Sequence, residues 1–319
     1  MNLLEEREYY KPFNYPWAFK YYKQQQHMHW LPDEVNLADD LRDYREKMSE
    51  GNKRLLGQIF RFFTQADVDV CCGYAKHYLP TFKQPEVRMM LAAFAAMEAV
   101  HQEAYSLLLE TLGFRDDEYQ KFFKHKEMLD KHEYLGNFGM ETPIDIAKTM
   151  AIYSAFTEGV QLFSSFAILL NFPRHNLMKG MGQIVTWSVR DETLHVEGMS
   201  HLFRVFIQEN PELWTDDLKY EIYCAAERTV ELEDAFINLC FEGAEVPDLT
   251  AEEIKEYIRY IADRRLLGLG MKKIFGSDVN PLPWLDYMLN GVEHTNFFEN
   301  RATEYSRAST TGNWQDIFK

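Results

Sequence analysis

The sequence predicts a protein that is almost wholly α-helical. Helix starts and stops recur along the chain, strand-like alternation between them is scarce, and no short-period repeat or low-complexity stretch interrupts the pattern. The first long helix runs through RLLGQIFRFFTQADVDVCCGYAKHYL, residues 54–79. It should stop before Pro80, because proline lacks the N–H and its ring meets the carbonyl four residues back. The second opens at Pro85 and Glu86, where proline is tolerated, and closes on Gly113. Thr142, with Pro143 in the first helical position and Asp145 three residues on, starts a third helix that reaches Asn171, ahead of Pro173. A fourth covers roughly residues 177–209 and halts before Pro211. Later helices begin near Thr215 and at Thr250, where Glu253 completes a capping box. From Gly291 the chain turns polar and loses any sustained apolar face, so residues 1–290 are read as a helical domain and residues 291–319 as a flexible tail.

With 319 residues the chain can bury a substantial core, as one large helical domain or as two ordinary ones. Apolar residues at 46% and charged residues at 26% are globular proportions. No apolar run approaches the roughly 18 residues of a membrane span. The amino terminus, MNLLEEREYYKPF, lacks a basic start followed by an apolar stretch, so a cytoplasmic protein is expected. Thirty-four basic residues against 50 acidic ones leave a net charge of −16, which opposes phosphate-driven binding and argues against nucleic acid as a partner. Cys71, Cys72, Cys224 and Cys240 form no C-x-x-C, so neither a thiolate zinc site nor a disulfide scaffold is expected, only inert thiols.

A glutamate three residues before a histidine puts a carboxylate and an imidazole on one helix face, less than a turn apart, where both can reach one metal ion. Two such pairs occur, Glu98/His101 in AAMEAVHQEAY and Glu192/His195 in VRDETLHVEGM. With ten histidines and 50 acidic residues in 319, chance alone supplies one or two, so the count proves nothing. The context is more telling. Each pair lies on its own long helix, and each of those helices follows another with an acid in an apolar stretch: Asp67 in FRFFTQADVDV and Glu158 in AIYSAFTEGVQLFSSF. A carboxylate among Phe, Leu and Ala needs a counter-charge, which a metal ion supplies. One acid from each of two helices plus Glu-x-x-His from each of two others is the known pattern of di-metal carboxylate bundles. Four carboxylates and two imidazoles without a thiolate suit iron or manganese and argue against copper or structural zinc. Asp69 competes with Asp67, and the apolar setting of Asp67 favours the latter.

The string EAVHQEAY sets Tyr105 four residues beyond His101, on the face that carries both Glu98 and His101. Together with RDETLH, the 34-residue separation of Glu158 from Glu192, MHWLPDEV near the start and TNFFENRATEY near the end, it resembles the class I ribonucleotide reductase small subunit over nearly the whole chain. The resemblance implies a ferritin-like di-metal carboxylate helical bundle with additional helices, forming a homodimer. It implies two iron ions per chain, with manganese or a mixed pair as alternatives. Asp67, Glu98 and His101 would hold one ion, and Glu158, Glu192 and His195 the other. Tyr105 would carry a stable radical. Trp30 matches the tryptophan that passes an electron towards the metals, and Asp191 the carboxylate that links it to His101. Tyr305 matches the tyrosine that relays the radical to the large subunit, in which the tail's end, QDIFK, would dock. The chain departs from the commonest pattern around the radical. Phe166 fits an apolar wall, but Leu162 stands where phenylalanine is frequent and Ser188 where a bulky aliphatic is frequent.

Two other functions share the metal pattern. A di-iron oxidase or monooxygenase would need a substrate channel and no tail; an iron-storage bundle would need only about half this length.

Overall fold

In a computed structural model of the chain, residues 2–135 and 139–289 are described, and among them no β-strand occurs. The helices relevant to the site are α1 (Pro16–His27), α2 (Ala38–Glu46), α3 (Glu50–Gly73), α4 (Pro85–Leu112), α5 (Lys126–Leu135), α6 (Pro143–Thr149), α7 (Phe163–Arg174), α8 (Lys179–Glu209), α9 (Asp216–Phe241) and α10 (Ala251–Gly268). The chain divides at Leu282/Pro283. The first unit holds α1 to α10; of the second, residues 283–289 are described and are helical.

Local chemistry accounts for most helix ends. Ser49 caps α3, accepting from the Asn52 N–H, and Thr215 and Thr250 cap α9 and α10 in the same way. Thr142 and Asp145 form the expected reciprocal cap of α6, and α4 closes on Gly113 at φ 88°, a left-handed conformation that glycine adopts without strain. Two proline stops fail. Beyond α3 the chain continues as a π-helical turn, Tyr74–Tyr78, and then through Pro80 to Thr81. The wider turn relieves the clash between the proline ring and the carbonyl four residues back. Likewise α7 runs through Pro173 to Arg174; the proline falls in the last turn, where little of the hydrogen-bond ladder remains to be broken. Between α6 and α7 lies a second π-helical stretch, Met150–Gln161, which periodicity does not foretell.

The core is a bundle of four long elements. α3 packs on α4, the Met150–Gln161 stretch packs on α8, and α4 also meets α8. On α4 the buried residues Val87, Met90, Leu91, Phe94, Met97, Glu98, His101, Ala104, Tyr105 and Leu108 follow the three-and-four spacing of one helix face. Glu98, His101 and Tyr105 thus occupy core positions. The helical stretch Pro143–Arg174 is long and apolar enough to cross a membrane, yet its apolar window is wholly buried inside the fold. It is the bundle's central helix, apolar all round because it is covered all round.

Buried acids position the flanking elements. Asp40 of α2 accepts from the N–H groups of Gly180 and Met181 at 2.9 and 2.8 Å, and Asp43 from that of Met178 at 3.1 Å, so α2 caps the start of α8. Glu86, at the start of α4, binds Arg7 at 2.7 Å and accepts from the N–H groups of Asn14 and Tyr15. That lashes the N-terminal segment across the bundle, where α1 packs on α4 and α8. The four cysteines are free thiols, with Cys240 buried and Cys72 exposed.

Candidate metal centre

Four elements deliver six chelating side chains to one place inside the bundle. α3 contributes Asp67, α4 Glu98 and His101, the π-helical stretch Glu158, and α8 Glu192 and His195; none is more than 2% exposed. Asp67, Glu98 and His101 offer ligand atoms all within 4.8 Å of one another, and so do Glu98, Glu192 and His195. Glu98 therefore belongs to both groups. Its Oε1 lies 2.9 Å from His195 Nδ1, and its Oε2 lies 3.6 Å from His101 Nδ1. Glu192 straddles the centre in the same sense, 3.2 Å from His101 Nδ1 and 3.6 Å from His195 Nδ1. Glu158 stands apart from both groups and accepts a hydrogen bond from the Tyr74 hydroxyl at 3.2 Å.

These atoms converge without satisfying one another. Asp67 Oδ2, both oxygens of Glu98, Glu158 Oε1, Glu192 Oε2 and His195 Nδ1 are buried with no hydrogen-bond partner among the described residues. Glu98 Oε1 and His195 Nδ1 are close yet not aligned as acceptor and donor, as when both aim at a third body. Orphaned carboxylates are costly in a protein interior unless a cation sits among them. Two divalent ions would balance the four carboxylates, and the all-oxygen-and-imidazole donor set fits iron or manganese.

Burial and mutual charge perturb the ionisation of these groups. Burial, reinforced for Glu158 by the charge of Glu192, pushes the carboxyls of Asp67 and Glu158 well above the usual carboxylate range. Burial also opposes charge on Glu192 and His195, but here their mutual attraction and that of neighbouring groups prevails. Glu192, flanked by both imidazoles, is held below its usual value, and His195, beside Glu192 and Glu98, is raised to about 10.

The outward face of each imidazole is anchored. Asp191 Oδ2 accepts from Trp30 Nε1 at 2.7 Å and lies 3.3 Å from His101 Nε2. Its other oxygen accepts from Gln25 Nε2 at 3.1 Å, and Gln25 Oε1 lies 3.1 Å from His195 Nε2. One glutamine on α1 thus ties both imidazoles together through Asp191, fixing the ring orientations that leave each Nδ1 facing inward. Gln25 is a residue that sequence reasoning missed; nothing in the polar run KQQQH distinguishes it.

Tyr105, 1% exposed, stands with its ring 4.5 Å from that of Phe63, which in turn is 5.1 Å from Phe166. Burial, then the charge of Asp67, raises the pKa of its phenol above the usual value. Ser188 is near enough to oppose that rise, but its hydroxyl donates to the Ile184 carbonyl at 3.1 Å, and the phenol oxygen has no partner in hydrogen-bonding geometry among the described residues. Phe63 was legible in principle, four residues before Asp67 on the same face. Tyr74, seven residues after Asp67, carried the same signal.

Asp69 points elsewhere, 2.5 Å from His132 Nδ1 and accepting from Gln65. The π-helical stretch that carries Glu158 is held from two sides. Lys131 of α5 donates to the Gln161 carbonyl at 3.1 Å, and Arg265 of α10 to that of Gly159 at 2.8 Å. Lys131 is itself fully buried, ion-paired with Glu233, which accepts from Ser164. Tyr305 and the terminal QDIFK, residues 315–319, assigned to relay and docking, lie outside the described residues.

Comparison with known proteins adds three findings. The family model "Ribonucleotide reductase, small chain" matches residues 7–281. The probable ribonucleoside-diphosphate reductase small subunit of Invertebrate iridescent virus 3 is 46% identical over 98% of this chain and 88% of its own; that of Invertebrate iridescent virus 6 is 45% identical over 100% and 99%. A solved structure of a putative class I ribonucleotide reductase from Bacillus halodurans superposes with a TM-score of 0.79 at 23% identity, covering 85% of this chain and 99% of that one, which shows a shared fold.

Proposed function

The chain belongs to the ribonucleotide reductase small-chain family, and from that membership we propose that Tyr105 carries a stable radical beside a di-metal centre held by Asp67, Glu98, His101, Glu158, Glu192 and His195. It is the small subunit of a class I ribonucleoside-diphosphate reductase, whose radical serves the conversion of ribonucleotides to deoxyribonucleotides on a separate large subunit. The observation that supports the residue assignment best is the pair of buried His–carboxylate groups that share Glu98 and leave their oxygens unpartnered.

Two bound iron ions, or manganese in their place, would supply with oxygen the one-electron oxidising power. The remaining work belongs to the chain. Asp191 and Gln25 hold the imidazoles so that each Nδ1 is presented inward. Burial keeps the Tyr105 phenol neutral, so its oxidation removes an electron and the phenolic proton together. Phe63, backed by Phe166, covers the ring and shields it from water and from small reductants.

Electron exchange with the large subunit runs, in this reading, through His101, Asp191 and Trp30, then Tyr305 in the tail. Residues 291–319 dock in that subunit, and the protein works in the cytoplasm as a homodimer. The test is metal titration of the apoprotein with ferrous iron and oxygen, followed by electron paramagnetic resonance. About two metals per chain and an organic radical are expected; a protein that binds two metals and forms no radical would leave a di-iron oxidase in its place.

A further inference from the structure

We propose that Trp187 is the surface terminus of the electron path that passes through Trp30, an inference that rests on the relay role assigned to Trp30 above. Trp30 is 2% exposed, so an electron exchanged with anything docked outside must tunnel through the protein that covers it, a step that a further oxidisable ring would divide into two shorter ones. One face of its indole stacks near His101, with ring centroids 5.9 Å apart and planes 29° from parallel. Trp187 also lies against it, with ring centroids 5.1 Å apart and planes at 45°, and is only half-buried. The rings of His101, Trp30 and Trp187, each within 6 Å of the next by centroid, therefore form a row from the metal centre towards the surface. Trp187 stands on α8 one turn before Asp191 and two turns before His195, so one helix face carries the surface ring, the acid that binds Trp30 and a candidate ligand. Arg190 fastens the chain beside this stack by donating to the Met28 carbonyl at 2.5 Å.

The chemistry suits the position. Indoles and phenols are the aromatic side chains that lose an electron within biological reach; phenylalanine and the aliphatics are not. In the outward direction the Tyr105 phenoxyl gains one electron, together with one proton drawn ultimately from solvent, to become the phenol. Trp30 supplies that electron and is refilled from Trp187, and Trp187 from Tyr305 of the tail or, in the test below, from an added one-electron donor. The Trp30 N–H stays shared with Asp191 throughout. A ring there only for packing would make its replacement by another apolar side chain electronically silent.

The test uses metal-loaded, radical-bearing full-length protein and reduced methyl viologen, a one-electron donor too bulky to enter the core. The readout is the decay of the Tyr105 radical signal relative to each variant's own starting amplitude, with metal content as the control for folding. Trp187→Phe and Trp187→Leu should each slow the decay about tenfold or more, and Trp187→Tyr, still oxidisable, should restore most of the wild-type rate. Decay at the wild-type rate in Trp187→Phe and Trp187→Leu overturns the proposal. Trp30→Phe then separates the two ideas: if it slows decay while the Trp187 variants do not, the relay through Trp30 stands and the exit lies elsewhere. If it does not, the relay assignment falls as well.

Discussion

Glu98 Oε1 lies 2.9 Å from His195 Nδ1, although Glu98 shares α4 with His101 and His195 stands on α8. A single carboxylate thus spans both halves of the centre, and the six candidate ligands are unequal. Glu98→Ala should abolish binding of both ions, whereas Asp67→Asn, which touches one group only, should leave about one ion per chain. Asp69→Asn, whose carboxylate faces His132, should keep both. Metal analysis of the three purified variants checks this; equal occupancy in the Asp67 and Asp69 variants would remove the assignment of Asp67.

Tyr105→Phe should retain the metals and lose the organic radical. Because the phenol oxygen has no partner in hydrogen-bonding geometry, its removal should cost no apoprotein stability, and a gain of about 1 kcal/mol is in range. Urea unfolding and paramagnetic resonance on the same preparation measure both; a radical unchanged in Tyr105→Phe assigns it to another residue.

Metal affinity should rise with pH. In the metal-free site Asp67 and Glu158 hold their protons because burial raises them, and His195 keeps its proton up to about 10; Glu192, held low, is already ionised. A metal ion must displace those protons, so acid competes with metal, and the gain continues through neutrality towards about 10 as His195 deprotonates. Competitive titration with a chelator across the neutral range, with proton release followed by calorimetry in two buffers, tests the sign. Affinity that falls as pH rises would contradict it.

Lys131→Met should destabilise the apoprotein by about 3–5 kcal/mol, since it strands Glu233 as an unpaired buried charge. Lys131→Met with Glu233→Leu should recover much of that loss. Neither variant restores a donor to the Gln161 carbonyl, so both should bind the ion nearest Glu158 more weakly than wild type. Chemical denaturation and stepwise metal titration distinguish the two effects; a double variant with wild-type metal affinity would reduce Lys131 to a packing role.

If the tail both docks and relays, as proposed, the two roles separate by substitution. Tyr305→Phe should keep the radical and the affinity for the large subunit but abolish turnover. Phe318→Ala should weaken binding, as loss of an apolar anchor does, with turnover recoverable at high subunit concentration. Near-normal turnover of Tyr305→Phe at saturating large subunit would reduce Tyr305 to an ordinary tail residue.

Whatever depends on neighbours within two helical turns is written along the chain. Glutamate and histidine three residues apart share a face wherever the helix lies, and Tyr105 follows them by one turn, so Glu98, His101, Tyr105, Glu192 and His195 were legible without a fold. Helix caps at Thr142, Thr215 and Thr250 were legible for the same reason. The tertiary structure alone decided which faces meet. It joined Gln25 to Asp191 across 166 residues and set Glu98 against His195 on another helix. It turned Asp69 away to His132 and carried helices through Pro80 and Pro173. It also widened the Glu158 helix into a π-helical stretch and held that stretch with Lys131 and Arg265. A residue's helical phase is encoded within a few positions of itself. Which phases oppose one another depends on the simultaneous packing of all the long helices, and one-dimensional spacing carries no information about that.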